Sequence, residues 1–265
     1  MNIQRLTAFL IISLALLFMS AQADPIPVAN YSFEFPVIDP NANLQLAIPL
    51  AAMWTELDND TQASYNTGVF RNKSAGNADH ITNPDGEQLA FLGGEVGNSM
   101  MQFIEATYQA GKSYELTVSI CVSHTAPPSE DDPLELAFLY WDVFTPATIA
   151  TLQVSSAGLT STLLDDFKLT LPTVQNSDTW AGKNIGIAIR ATGDGGGYWD
   201  LDNVRMMEFR GTPDFTGDSV VNLPDFAKMA ADWLSCSQVT TDVTGDGCVN
   251  EADLQILAEY WLDDV

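Results

Sequence analysis

The run Ser113-Tyr-Glu-Leu-Thr-Val-Ser-Ile-Cys-Val122 alternates polar and apolar side chains along its length. A period of two marks a strand with one face on a core and the other turned away from it. Similar alternating or apolar runs recur at Leu134 to Trp141, Thr148 to Val154, Phe167 to Leu171, Asn184 to Arg190 and Tyr198 to Phe209. Clusters of turn-forming residues separate them, among them His80-Ile-Thr-Asn-Pro-Asp-Gly86, Ala126-Pro-Pro-Ser-Glu-Asp-Asp-Pro133 and Thr192-Gly-Asp-Gly-Gly-Gly197. Short strands, regular turn signals and no long helical period predict a mostly β chain, with an antiparallel β-sandwich over residues 24–209. Immunoglobulin-like and jelly-roll arrangements both fit this pattern.

A short linker, Arg210-Gly211-Thr212-Pro213, leads into a different kind of sequence. Asp214-Phe-Thr-Gly-Asp-Ser-Val-Val-Asn-Leu-Pro-Asp225 and Asp242-Val-Thr-Gly-Asp-Gly-Cys-Val-Asn-Glu-Ala-Asp253 repeat each other at an offset of 28 residues. With the nine residues after each loop, 10 of 21 aligned positions are identical. The shared positions include oxygen-bearing residues at loop positions 1, 3, 5, 9 and 12. A 12-residue loop offers a hard cation such as Ca2+ those side chains plus the carbonyl at position 7. Helix signals follow each loop: Asn222 and Asn250 precede apolar stripes at Leu223, Phe226, Ala227, Ala230, Trp233 and Leu234, and at Leu254, Leu257, Ala258, Trp261 and Leu262. The two units are expected to pack on each other through these stripes, with Trp233 and Trp261 in related positions.

Residues 1–23 read as an export signal. Arg5 is followed by the apolar run Leu6 to Met19, and Ala21-Gln22-Ala23 fits a small-x-small cleavage site. The run is shorter than the roughly 20 residues of a transmembrane helix. A secreted or cell-surface protein is therefore expected, with no stable membrane insertion after cleavage. Its formal charge of −25 repels phosphate backbones, which excludes nucleic acid as a natural partner. Eleven of the acidic residues lie between Asp214 and Val265, against the single Lys228. In an exported chain Cys236 and Cys248 are the natural disulfide pair, closing a loop worth on the order of 3 kcal/mol. Cys121 reads as a buried small hydrophobe.

The duplicated pattern Asp-x-Thr-Gly-Asp-x-x-Val-Asn-x-x-Asp resembles the type I dockerin module over residues 214–262. The resemblance implies a small all-α, calcium-binding domain at 214–265 that holds two Ca2+ ions and docks onto a cohesin-like or other surface protein. By match to the pattern, the side-chain ligands are Asp214, Thr216, Asp218, Asn222 and Asp225, then Asp242, Thr244, Asp246, Asn250 and Asp253, with carbonyls from Val220 and Cys248. Three departures stand out, the first being Thr216 and Thr244 at position 3, where Asn or Asp is more usual. Ser219 occupies the turn position that Gly247 fills in the second loop, and the recognition pair at positions 10 and 11 is replaced by Leu223-Pro224 and Glu251-Ala252.

Ala29-Asn-Tyr-Ser-Phe-Glu-Phe35 and Trp199-Asp-Leu-Asp-Asn-Val-Arg205 are similar to the ends of galactose-binding-like jelly rolls, including carbohydrate-binding modules. That resemblance implies a structural Ca2+ shared by Glu34 and Asp202. Trp54 and Trp180, in polar surroundings, are the rings expected to stack on a sugar. His80 and His124 are the only histidines, and neither lies in a nucleophile or metal motif. Glu56-Leu-Asp-Asn-Asp60 reads as a loop rather than a glucanase strand. The expectation from sequence is a non-catalytic adaptor with a glycan- or surface-binding sandwich. A polysaccharide-active hydrolase and a structural surface protein are the rival readings.

Overall fold

The structure is a computed structural model that describes residues 23–41, 46–47, 52–56, 66–143, 145–211, 213–216, 218, 220–237 and 239–262. The expected signal segment up to Gln22, Glu56's neighbours 57–60, Thr212 and Ser219 lie outside the described residues. The strands are β1 (Ala23–Ile26), β2 (Leu46–Ala47), β3 (Thr55–Glu56), β4 (Thr67–Arg71), β5 (Gln88–Gly93), β6 (Ser99–Thr107), β7 (Lys112–Val122), β8 (Leu134–Asp142), β9 (Thr145–Val154), β10 (Asp165–Leu171), β11 (Asn184–Ala191) and β12 (Tyr198–Arg210). Two short helices follow, α1 (Leu223–Ala231) and α2 (Glu251–Glu259).

The strands form two antiparallel sheets. The first runs β10-β7-β12-β5-β4-β2, with β1 also paired to β12, and the second runs β3-β6-β11-β8-β9. Period-two alternation turns one face of each sheet inward. Leu116, Val118 and Ile120 of β7 meet Leu134, Leu136 and Phe138 of β8 and Ile185, Ile187 and Ile189 of β11 in one apolar core. Tyr108 lies buried there, and its hydroxyl donates to the Leu139 carbonyl at 2.8 Å, so the ring enters the core without an orphaned polar group.

β12 controls the phase of the first sheet. Trp199 and Leu201 point into the core, so Asp200 and Asp202 point to the other face. Continued alternation would turn Val204 and Met206 outward. Instead the β12–β7 register shifts between Asp202↔Ser119 and Arg205↔Thr117, which inserts one extra residue. Asn203 carries the bulge at φ 50°. Val204 and Met206 thereby return to the core, and Arg205 faces out to pair with Asp166 at 2.6 Å. Asparagine tolerates this left-handed backbone far better than a β-branched residue does.

Beyond β12 the structure shows no extended helical domain. Among the described residues there, α1 and α2 are the helices, each of nine residues. The apolar stripes expected to bury do so only in part, at Leu257 and, partly, Leu254. Leu223, Phe226, Trp233, Leu234, Trp261 and Leu262 are all exposed, while Val221, Met229, Val249, Leu257 and Tyr260 form the small core. The reason is local. The helix starts are fixed by Asp225 and Asp253, which accept the N–H groups of Asn222 and Asn250, and at α2 also by the Asn250 side chain, and that phase turns Met229 and Leu257 inward. The repeats are also tied by backbone bonds from Leu234 to Val249 and from Leu262 to Val221. A disulfide joins Cys236 to Cys248. Gly111, in the β6–β7 turn at φ 80°, lies so close to the second repeat that a Cβ there would sit 2.3 Å from the Thr244 carbonyl oxygen.

The bulge gives a direct test. Asn203→Val should destabilise the fold by about 1–2 kcal/mol, whereas Asn203→Gly should cost much less. Denaturant unfolding of the two variants measures the difference.

Candidate active site

The outward face of the first sheet is not a solvent face. Ile81, Leu89, Cys121 and Leu164, with Phe70 beside them, form a second apolar cluster on that side. Ile81 and Leu164 come from loops that cross over the strands. Thr82 and Thr162 tie these loops together, with the Thr82 N–H and hydroxyl both donating to the Thr162 carbonyl at 2.8 Å.

Asp200 sits under this roof. Its register neighbours are Cys121 on β7 and Phe91 on β5, and it is 6% exposed. Among the described residues, nothing donates a hydrogen bond to its carboxyl group and no cation pairs with it. Burial alone pushes its pKa up to about 7. Phe91 meets the half-buried Tyr198 ring edge to face, at a centroid distance of 5.9 Å. An uncharged acid is thus held next to two aromatic rings. The Cys121 thiol is also pushed up, by burial first and by the Asp200 carboxylate, once ionised above about pH 7, second, so it is no nucleophile.

Two residues further along, Asp202 is fully buried. Its carboxylate accepts from the Asp85 backbone N–H at 2.6 Å and from the Asn203 N–H at 2.7 Å. Burial is again the main cause that lifts it to about 7, with the charges of Asp85 and Glu34 adding to it. Glu34 accepts from the backbone of Glu87 and Gln88 at 2.8 and 2.7 Å, in a space that exists because Gly86 has no Cβ. The structure therefore brings Glu34, Asp85 and Asp202 into one acidic group, of which sequence reading named two.

In the C-terminal loops, the carboxylates of Asp214, Asp218 and Asp225 lie within 4.8 Å of one another, as do those of Asp242, Asp246 and Asp253. Asp225 and Asp253 also accept backbone N–H groups of the loop and cap. The Thr216 and Thr244 hydroxyls donate to Asp214 and Asp242 at 3.2 and 3.3 Å. Burial, then the charge of Asp253, raises the pKa of Asp242. The carbonyls of Val220 and Cys248 accept from the Asn222 and Asn250 side-chain amides, both at 3.1 Å. Among the described residues no donor reaches the buried Asn222 Oδ1, an acceptor that a cation would satisfy.

Trp54 is 4% exposed and packs on Phe33, so it presents no open face. Trp180 is partly buried against the core and lies 6.5 Å from the Tyr140 ring.

The HpiC1-like family, described as HpiC1 cyclase, matches residues 24–207. The chain belongs to the HpiC1-like cyclase family. Solved structures at low identity share its fold. A Stig cyclase, Fisc, from Fischerella sp. TAU, in complex with (3Z)-3-(1-methyl-2-pyrrolidinylidene)-3H-indole, is 20% identical, covering 72% of this chain and 100% of that one, with a TM-score of 0.59. An apo cyclase from Fischerella sp. is 22% identical over 72% and 99% of the two chains, with a TM-score of 0.59. A Fischerella sp. TAU cyclase in complex with 4-(1H-indol-3-yl)butan-2-one is 20% identical over 71% and 98%, with a TM-score of 0.57. No curated protein matches the chain.

Family membership overturns the non-catalytic adaptor and its glycan-binding sandwich. It also overturns the dockerin identification and the cohesin-like partner: the family match ends at residue 207, and no dockerin family matches the C-terminal repeats. The oxygen pattern of a 12-residue loop specifies ligand geometry, not a docking partner, and that is where the sequence reading went too far. The acid was missed because Asp200 alternates with Trp199 and Leu201, which reads as a residue facing water. Only the loops over that face show otherwise.

Asp200 makes stability depend on pH. In the unfolded chain its carboxyl ionises near 3.8, and in the folded chain near 7. Between those values the folded state keeps a proton that the unfolded state has lost, so stability falls as pH rises from about 4 to 7 and is level above. Asp200→Asn should remove its share of this fall and leave the similar share of Asp202. The variant should gain on the parent by on the order of 4 kcal/mol at most between pH 4 and pH 8, as read from denaturant midpoints.

Proposed function

We propose that this chain is an enzyme that cyclises a small, largely uncharged organic substrate by proton donation from Asp200. The observation that supports this most is a buried carboxyl group with no partner, kept protonated near neutral pH beside aromatic rings. A carboxylic acid in an apolar site is a general acid. It delivers its proton to a basic atom or double bond of the substrate, and the resulting electron deficiency is closed by a bond within the same molecule; the cyclised cation then gives up a proton to the Asp200 carboxylate, which restores the acid. No atoms are lost, so product and substrate are isomers. Phe91 and Tyr198 supply flat surfaces for a planar ring. The indole compounds bound by the Fischerella cyclases make indole-bearing substrates the first class to test.

On the same reading the two-sheet body is a jelly roll and the protein is exported. Two Ca2+ ions are held by the loops at Asp214–Asp225 and Asp242–Asp253, and a further structural Ca2+ by Glu34 and Asp202. The close loop carboxylates and the buried Asn222 Oδ1 support the first two ions, and the mutual charge effect of Glu34 and Asp202 is the ground for the third. Bound there, a cation relieves the mutual repulsion of the loop carboxylates and stiffens the C-terminal segment.

Incubation with indole-bearing alkenes, followed by chromatography and mass spectrometry, should reveal a product of unchanged mass. Asp200→Asn should lower kcat by roughly 10²–10⁴-fold, and Phe91→Ala should act mainly through KM. Because the acid must be protonated, the rate should fall tenfold per unit as pH rises above about 7. Retained turnover in Asp200→Asn would overturn the assignment.

Calorimetric titration with Ca2+ should show at least two ions per chain. Asp246→Ala should remove one of them, and unchanged stoichiometry in that variant would exclude the second loop as a site.

A further inference from the structure

A second group of reactive side chains lies on the rim, apart from Asp200. Asp79, His124 and Ser161 are far apart in sequence and come from three loops. His124 Nε2 is 3.1 Å from Asp79 Oδ1, and His124 Nδ1 is 3.4 Å from Ser161 Oγ. The carboxylate holds the proton on Nε2, which leaves the Nδ1 lone pair facing the serine hydroxyl. These are the roles of nucleophile, base and orienting acid in a hydrolytic triad, with the two ring nitrogens exchanged relative to the serine-protease arrangement.

The three loops are fastened where it matters. The Val122 N–H donates to the Thr160 carbonyl at 3.4 Å, linking the chain beside His124 to the residue before Ser161. The Thr82 and Thr162 contacts described above link the loop after Ser161 to the one carrying Asp79. The Asp79 N–H donates to the Asn77 side chain at 2.9 Å, which fixes the turn that presents the carboxylate. Each member is therefore close to a backbone anchor, as a working site needs.

The array also has a place for a substrate. His124 and Ser161 both line an open cavity of about 380 Å³. Val122, Pro127, Pro128 and Leu159 form its apolar wall, and Glu130 adds a negative charge. Asp200 does not line it. The apolar wall fits a short acyl chain, while Glu130 and the net charge of −25 disfavour anions.

We infer that Ser161, His124 and Asp79 form a second catalytic site, which hydrolyses small uncharged acyl esters. Ser161 Oγ attacks the ester carbonyl carbon as its proton passes to His124 Nδ1. The bond to the alcohol oxygen breaks, and the alcohol leaves with that proton. Water, deprotonated by the same nitrogen, then releases the acid and returns the proton to Ser161.

The test uses the full mature chain, a fluorophosphonate probe and p-nitrophenyl butyrate. Peptide mass spectrometry should find one phosphonyl adduct, on Ser161. Ester hydrolysis should fall about a hundredfold in Ser161→Ala and in His124→Gln. Since His124 also joins three loops, Ser161→Ala decides the matter: it keeps the His124–Asp79 pair, and its unfolding midpoint should match that of the parent. An unlabelled Ser161, or undiminished hydrolysis in a folded Ser161→Ala, would overturn the proposal.

Discussion

The pairing of β12 with β7 is the constraint from which the rest of the structure follows. β12 is the longest strand and touches β1, β5 and β7, so its phase sets the phase of the whole first sheet. A slip of one residue would exchange Trp199 and Leu201 for Asp200 and Asp202 in the core. Such a slip would take Asp202 away from the Asp85 and Asn203 backbone N–H groups that satisfy it and drive the large Trp199 ring into the space beneath the loops, a cost comparable with a domain's usual margin of stability. The register is therefore strongly determined. Because it is, the placement of Asp200 on the opposite face is equally determined. The bulge at Asn203 completes the arrangement by letting one strand serve two regimes, acid-bearing before it and ion-paired after it.

That second face explains why the acid is effective. A carboxyl group on an open sheet face would be hydrated and ionised at neutral pH. Here Ile81 and Leu164 bring loops over the strands, and Cys121 and Phe91 flank the carboxyl on either side. The contrast with Asp166 is instructive. It lies on the same face, but the Arg205 guanidinium and the Ser119 hydroxyl outweigh the effect of burial and hold its pKa below the ordinary carboxylate value. Two aspartates on adjoining parts of one surface are thus driven in opposite directions. Their environments, not their identity, assign one to proton donation and the other to structure.

Much of the fold was legible in the sequence. The alternation of Ser113 to Val122 and of the later runs, and the turn clusters between them, gave a mostly β chain with antiparallel sheets. The cap residues Asn222 and Asn250 marked the two helix starts. What the residues could not convey was the covering of a face by distant loops. Alternation tells which side chains share a side, but not whether that side meets water. For that reason nothing in the alternation marks Asp200 as buried, while Trp54, in a polar stretch, reads as a ligand ring and lies in the core. The exposed Trp233 and Trp261 failed for a related reason, since helix phase set by a cap can overrule the apparent stripe.

The same loops carry a further consequence for how the chain divides its chemistry. Residues inside the two-sheet core are fixed by packing, and any reactive group placed there would have to displace apolar contacts. The roofing loops have no such restriction: they need only their anchoring bonds, such as that between Thr82 and Thr162, and a few apolar residues facing the sheet. Their outer side chains are free to take up polar roles, and Asp79 and Ser161 lie on them within three residues of those anchors. One set of loops can thus shield an acid beneath and arrange a nucleophile above, because the two demands fall on opposite sides of the same backbone.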